Sequence, residues 1–260
     1  MLVQLDLCSG VGAGFPLAGL ITGGFQLKGL CEIDKFCHDR LRDRFPKIPI
    51  HPDVRSLQFH SREFKIVSSS PPCQPFSVEG KRRGLADKRD CIPAVLHTIK
   101  SVQPNFFAIE NVPGLLSCPL SPGEPTGSYF AYLLREIWRS GYDAQWLCVG
   151  SGDIGAPFLR RRLLLVGISR SLEFRREPKS WTEQVRGQVA EVRTAKARRS
   201  CQPGFPRAML RTPAQLDIPP GVPDGNGIVR ARRAALGNCF DPRVASIALR
   251  RVLYLNSLCK

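Results

Sequence analysis

What most constrains this chain is an alternation. Short apolar runs bounded by glycine, proline or polar residues take turns with stretches whose apolar residues recur at helical spacing. The runs that read as strands are 3–7, 26–31, 65–69, 106–110, 144–149 and 163–168. The stretches that read as helices are 15–20, 35–44, 91–101, 129–140 and 243–255. Strands that alternate with helices in this way build a mostly parallel sheet covered by helices. The predicted fold class is α/β, a doubly wound, mostly parallel sheet.

The pattern lapses after residue 168. Residues 170–230 are rich in Arg, Pro, Gly and Gln, and prolines at 203, 206, 213, 219, 220 and 223 argue against regular structure there. A helical stripe of Val244, Ile247, Ala248, Arg251 and Leu255 then follows. The expected organisation is a core over 1–168, a short, irregular, basic region over 169–234, and a C-terminal helix within 235–260 that returns to the core. With 43% hydrophobic residues in a chain of 260, one large domain can bury a sizeable core.

Charge is distributed unevenly. Residues 151–260 hold 21 Lys+Arg against 8 Asp+Glu, whereas the first 150 hold 17 against 14, so most of the net +16 lies in the second part. A basic face on a near-neutral core suits a polyanion, and nucleic acid is the expected partner. The ten cysteines include no Cys-x-x-Cys pair and stand beside no clustered histidines. That spacing favours reduced thiols over a zinc site or a secreted disulfide framework. The first 25 residues are apolar, but Asp6 and several glycines interrupt them and no basic segment precedes them. Neither a signal peptide nor a membrane span is expected, and the predicted location is cytoplasmic, at the nucleoid if the cell is prokaryotic.

Three places could carry chemistry. The first strand-to-helix turn holds Gly10, Gly12 and Gly14, where a ligand can approach the backbone, and Glu32 or Asp34 at the end of the second strand could take ribose hydroxyls. Nicotinamide cofactors bind in the same manner, so the turn alone does not choose between ligands. In SSSPPCQPFS, Pro71, Pro72 and Pro75 pin Cys73 just beyond a strand, where it could be a packing residue, a metal or disulfide partner, or a nucleophile. A nucleophilic thiol needs positive surroundings, and Arg160 and Arg162 could supply them. Glu110 ends an apolar strand and reads either as a proton donor of raised pKa or as a surface carboxylate capping Asn111-Val112.

Taken in order, DLCSGVGAGF at 6–15, EID at 32–34, PDV at 52–54, PPCQPFS at 71–77, ENV at 110–112, GAPFLRRRLLLVG at 155–167 and ALGNCFDP at 235–242 resemble the C5-cytosine DNA methyltransferases. The resemblance covers 1–168 and 235–255, and the proline-cysteine and Glu-Asn-Val motifs are its most specific parts. It implies the class I S-adenosylmethionine-dependent methyltransferase fold and transfer of a methyl group to C5 of a flipped-out cytosine through a covalent Cys73 adduct. Glu110 would act at N3 and the exocyclic amine; Arg160 and Arg162 would hold O2 and bias Cys73 towards thiolate. For the cofactor, S-adenosyl-L-methionine, the resemblance implies Gly10, Gly12, Gly14, Phe15, Glu32, Ile33, Asp53, Val54, Pro72 and Asn238. For DNA it implies Ser77 and the loop 78–90, with Lys81, Arg82 and Arg83 meeting phosphate and Gly80 and Gly84 as hinges.

The implied partner is double-stranded DNA, bound by a monomer. The chain departs from the family at Phe158, where glutamine is usual, and in having only 66 residues between Ile168 and Ala235, where Arg211-Thr212-Pro213 is at best a remnant of the usual Arg-Leu-Thr signature. Recognition is then either compact or supplied by a separate subunit. A tRNA cytosine-5 methyltransferase and a catalytically decayed nucleic-acid-binding module share the core motifs. A nicotinamide-dependent dehydrogenase would explain the glycine turn but not PPCQPFS with Glu110.

Overall fold

A computed structural model describes residues 1–78, 80–156, 160–198, 235 and 239–260. Its strands are β1 (Leu2–Leu7), β2 (Phe25–Cys31), β3 (Ile50–His51), β4 (Ile66–Ser69), β5 (Phe106–Asn111), β6 (Tyr142–Gly150) and β7 (Arg161–Ser169). Its helices are α1 (Phe15–Thr22), α2 (Lys35–Arg44), α3 (Ile92–Val102), α4 (Ser128–Arg139), α5 (Trp181–Arg198) and α6 (Pro242–Leu258). The strands form one seven-stranded sheet in the order β3-β2-β1-β4-β5-β7-β6. β1 to β5 pair in parallel, and β7 runs antiparallel between β5 and β6.

Successive strand residues point to opposite faces, and here both faces are buried, which is why the central strands are apolar at nearly every position. Leu5, Val67, Phe107, Ile109 and Leu165 pack against α3 and α4 through Ile92, Val95, Ile99, Phe130, Leu133 and Ile137. Their strand neighbours Ile66, Phe106, Ala108, Leu164 and Val166 face the other way, onto Phe15 and Ala18 of α1 and Val244, Ile247, Ala248 and Val252 of α6. Gly167 of β7 lies against Phe107, where a Cβ would stand 1.9 Å from the ring. Two helices are started by aspartate caps: Asp34 accepts from Cys37 N at 2.9 Å, and Asp241, followed by Pro242, accepts from Arg243 N at 2.9 Å.

The structure corrects the reading of 170–230 as wholly without regular structure, because α5 occupies its first part. Trp181 and Val192 of α5 are buried in the same cluster as Val244 and Leu255 of α6. Trp181, Val185, Val189 and Val192 fall at helical spacing along an otherwise polar helix, and docking on α6 buries that stripe. Fully buried Arg251 joins them, donating from Nε to Gln145 Oε1 of β6 at 3.0 Å and from Nη1 to Gln184 of α5, with its guanidinium 5.3 Å from the Tyr254 ring. Strand β3, two residues long, escaped the sequence pattern.

Candidate active site

The sheet's order reverses between β1 and β4, and a cavity of about 450 Å³ opens over that point. Parallel sheets bind ligands at such places because the loops leaving the two neighbouring strands diverge. Walls come from the turn after β1 (Cys8 to Pro16), the ends of β2 and β3 (Glu32 to Asp34, Asp53 to Arg55), the loop after β4 (Ser70 to Gln74) and Glu110 of β5. Because β7 is antiparallel, its beginning rather than its end reaches this edge, which brings Arg160 and Arg162 beside Glu110.

Cys73 is held by more than its prolines. Asn111 Nδ2 donates to Pro71 O at 3.2 Å, while Phe76 N and Ser77 N donate to Cys73 O at 3.0 and 2.9 Å. Gly114 then backs the turn, since a Cβ there would lie 2.5 Å from Phe76 O. Asn111 is therefore a positioning residue of the Cys73 loop, a role that the capping reading of Asn111-Val112 did not foresee.

Glu110 is buried, and Arg162 Nε donates to its Oε1 at 2.6 Å. Burial pushes the Glu110 carboxyl up to about 7 against the opposing pull of Arg162, Arg160 and a hydrogen bond from Ser70. The Cys73 thiol is also pushed up, first by burial and then by the Glu110 charge, while Arg162 and Arg160 pull it down. The arginines thus act in the direction the resemblance implies, while desolvation and the Glu110 charge act against them.

The rest of the cavity suits a nucleoside-bearing ligand. Glu32 accepts from Gly10 N at 2.7 Å and Asp34 N at 2.8 Å, which leaves lone pairs on both oxygens for hydroxyl donors. Burial raises its pKa, and those amides oppose the rise. Asp34 Oδ1 serves the α2 cap, and Asp34 lines the same wall. Gly10, at φ +56, has open space where a Cβ would stand.

A family profile described as C-5 cytosine-specific DNA methylase matches residues 2–202. The chain belongs to that family. Of its curated relatives, it is 31% identical over 167 residues to Type II methyltransferase M.NgoMIV of Neisseria gonorrhoeae, covering 64% of this chain and 51% of the relative. It is 32% identical over 168 residues to Type II methyltransferase M.Sau96I of Staphylococcus aureus, covering 62% of this chain and 38% of the relative. The chain thus spans about half, or less, of the length of these relatives. Among solved structures, a mutant of Spodoptera frugiperda DNMT2 superposes at a TM-score of 0.64 and 14% identity, covering 97% of this chain and 100% of that one. S. pombe Dnmt2 methyltransferase gives 0.53 at 20% identity, covering 71% of this chain and 55% of that one. These likenesses show the shared fold, the class I methyltransferase arrangement of the sheet.

Set against the methylase motifs, the residues named from sequence divide into three groups. Cys73, Glu110, Arg160, Arg162, Gly10, Gly14, Glu32, Ile33, Asp53, Val54 and Pro72 meet around the cavity. Phe15 reaches the same wall but is fully buried edge-on against Phe240, so it is a floor rather than an open stacking face; Ile33, 67% exposed, offers the accessible apolar surface. Gly12 lies off the cavity, its missing Cβ making room for Phe45 and Leu41. Asn238, Phe158 and Arg211 lie outside the described residues.

The loop after the Cys73 turn also differs from the expectation. Lys81 and Arg83 are exposed, but Arg82 turns inward and donates to Ser117 Oγ at 2.7 Å and Gly114 O at 3.3 Å. Gly84, at φ +53, packs where a Cβ would stand 2.4 Å from Leu120 O. The basic residues that reach the cavity are Lys88 and Arg89, the latter held by a fork to Asp87 at 2.7 and 2.9 Å. Sequence reasoning did not single out Lys88 and Arg89 within the loop 78–90, nor Arg55 and Cys91, because only the fold brings these side chains to the cavity. Among the described residues, no helix is long and apolar enough to cross a membrane, and no three metal-ligating side chains converge.

Proposed function

We propose that this chain is a DNA (cytosine-5)-methyltransferase of the restriction-modification type, acting on a cytosine drawn out of double-stranded DNA with S-adenosyl-L-methionine as methyl donor. The observation that carries the reading is the meeting, in one cavity, of Cys73, the Glu110–Arg162 pair and the Gly10–Glu32 wall. The donor set fits the cofactor: Glu32 has lone pairs for ribose hydroxyls, Gly10 leaves open backbone, Ile33 gives an uncovered apolar surface, and Asp53 stands beyond β3. When bound, S-adenosylmethionine supplies an electrophilic methyl group.

A base inside a stacked duplex cannot be attacked, so the cytosine is first flipped out, at a cost of about a few kcal/mol. Cys73 gives up its thiol proton to solvent, the thiolate Sγ forms a bond to C6, the C5–C6 π electrons move towards C4 and N3, and Glu110 delivers its own proton to N3, leaving C5 nucleophilic. A carboxyl titrating at about 7 is still half protonated at neutrality, as this step requires. Protonated Glu110 also no longer opposes the Cys73 thiolate. Arg162 orients Glu110 through its 2.6 Å bond, and Arg160 faces the same space. After methylation, loss of the C5 proton and expulsion of Cys73 as thiolate restore the aromatic ring. Phosphate contacts fall to Ser77, Lys81, Arg83, Lys88 and Arg89, and target recognition to residues 169–234 or to a separate subunit.

The test is base-resolution 5-methylcytosine sequencing of DNA from cells expressing the chain, beside a Cys73→Ala control. Methylation in one fixed sequence context, absent from the control, is the expected result. Methylation that survives Cys73→Ala overturns the nucleophile, and methyl transfer to tRNA alone overturns the substrate.

A further inference from the structure

Tyr129, in the first turn of α4, is fully buried and touches two pieces of chain fourteen positions apart in sequence. Its ring meets the Phe76 ring edge-on, with centroids 4.7 Å apart. Its hydroxyl donates to Asp90 Oδ2 at 2.6 Å. Its backbone N donates to Cys118 O at 3.2 Å, and Cys118 Sγ donates in turn to Pro75 O at 3.6 Å. One side chain thus holds both ends of the loop that runs from the Cys73 turn to α3.

Each end carries part of the site. Phe76 N donates to Cys73 O, so a fixed Phe76 fixes the exit of the Cys73 turn. At the other end the chain turns tightly from Asp87 to Asp90: Asp90 N donates to Asp87 O at 2.9 Å and Arg89 N to Asp87 Oδ1 at 3.0 Å. Lys88 and Arg89, which line the cavity, lie inside this second turn. Asp90 ties it to the interior, because Oδ1 accepts from Ile92 N at 2.9 Å while Oδ2 takes the Tyr129 hydroxyl. Arg55 Nη2 also reaches Lys88 O, at 3.3 Å, through an exposed bond.

We infer that Tyr129 is a positioning residue that sets Lys88 and Arg89 at a fixed distance from Cys73, its ring holding the nucleophile's turn and its hydroxyl holding the turn of the two cations.

The electrostatics agree with the geometry. Burial pushes the Asp90 carboxyl up, and the Tyr129 and Ile92 donors oppose that rise. Burial and then the Asp90 charge push the Tyr129 hydroxyl well up, so it keeps its proton and remains the donor. Without the hydroxyl, Asp90 Oδ2 would face an apolar ring, and the turn would have to shift outward to recover a partner from water. A DNA phosphate held by Lys88 and Arg89 fixes the register of the strand against Cys73, and methyl transfer depends on that register because reacting atoms must come within about 3–3.5 Å of each other. This consequence rests on the proposed function; the clamp itself does not.

The experiment begins with the full chain alone. In Tyr129→Phe, which keeps the ring and loses the hydroxyl, amide hydrogen exchange read by peptide mass spectrometry should quicken about tenfold over 87–92, since a hydrogen bond to a charged group is worth a factor of that order. Exchange over 73–77 should stay as it is. Asp90→Ala should match Tyr129→Phe, and Asp90→Asn, which keeps a polar partner for Tyr129 and for Ile92, should stay near the parent. Exchange over 87–92 that is unchanged in Tyr129→Phe, or that quickens equally over 73–77, would overturn the clamp.

Binding to duplex DNA, read by fluorescence anisotropy, comes second. Tyr129→Phe should weaken it and lower the log–log salt slope by up to about 2, the share of two phosphate contacts. In a chain that already carries Lys88→Ala and Arg89→Ala, the same substitution should change nothing further. Full additivity would show that Tyr129 acts elsewhere and would overturn the positioning role. No binding of duplex DNA by the parent chain, with the exchange pattern as expected, sinks the DNA reading and leaves the clamp standing.

Discussion

At Glu110, burial and the Arg162 guanidinium pull in opposite directions, and burial wins, leaving a carboxyl that titrates at about 7 within reach of Cys73. Single-turnover methyl transfer should therefore decline as pH rises through about 7, because Glu110 loses the proton it must deliver. Glu110→Gln should cut the rate by about 10²–10⁴-fold and remove that limb from the pH–rate profile. A decline unchanged in Glu110→Gln would assign it to another group. Asp6 is raised to about 7 by burial, although Ser68 Oγ donates to it at 2.5 Å. A carboxyl with a raised folded pKa contributes stability that is fully present below its unfolded value of 3.8 and is lost as pH rises through about 7. Asp6→Asn, which cannot ionise and keeps an acceptor for Ser68, should flatten the fall in melting temperature between about pH 4 and 8. Calorimetry of the two proteins across that range checks the slope.

At the level of the element, β7 and α6 decide where the arginines stand and how the second layer closes. Gly167→Ala would force a methyl group to 1.9 Å from the Phe107 ring, and Phe107 is fully buried, so β5 and β7 must part or the ring must leave its place. The expected cost is about 1–3 kcal/mol, read as a lowered denaturant midpoint, with Arg162 drawn off Glu110 as a further effect. Arg251→Ala removes the fully buried cation that ties α6 to Gln145 of β6 and Gln184 of α5, both half-buried, and leaves a cavity in its place. About 3 kcal/mol of stability should go, and α5 should lose its amide-exchange protection first. The helical stripe in the sequence placed Arg251 correctly on the inner face of α6. What the stripe could not reveal is that neutral amides, rather than a carboxylate, receive it.

The whole molecule carries a formal net charge of +16, concentrated in its second part. Binding to duplex DNA should accordingly weaken steeply with salt, by about 0.9 in the log–log slope for each phosphate contacted. With Lys88 and Arg89 lining the cavity and Lys81 and Arg83 exposed on the same loop, a slope steeper than about −3 is expected in a fluorescence-anisotropy titration from 50 to 200 mM salt. Replacing Lys88 and Arg89 by alanine should reduce it by up to about 2, and an unchanged slope would remove both from the interface.

The sequence by itself determined the layer plan and the chemical identity of the site. Strand and helix alternation is written in local periodicity, so β1, β2, β4, β5, β6 and β7 were legible within a few residues, while two-residue β3 was too short to carry a period. Cys73, Glu110 and Glu32 stood out because strand ends and proline or glycine turns surround them in the chain itself. The tertiary structure alone decided what depends on residues meeting from separate elements. It docked α5 on α6 through Trp181 and Val192. It turned Arg82 away from the cavity and brought in Lys88 and Arg89. It set Arg55 against Cys91 and Arg162 against Glu110. Burial and through-space charge have no sequence period, so pKa values and long-range pairs emerge only once the chain has closed on itself.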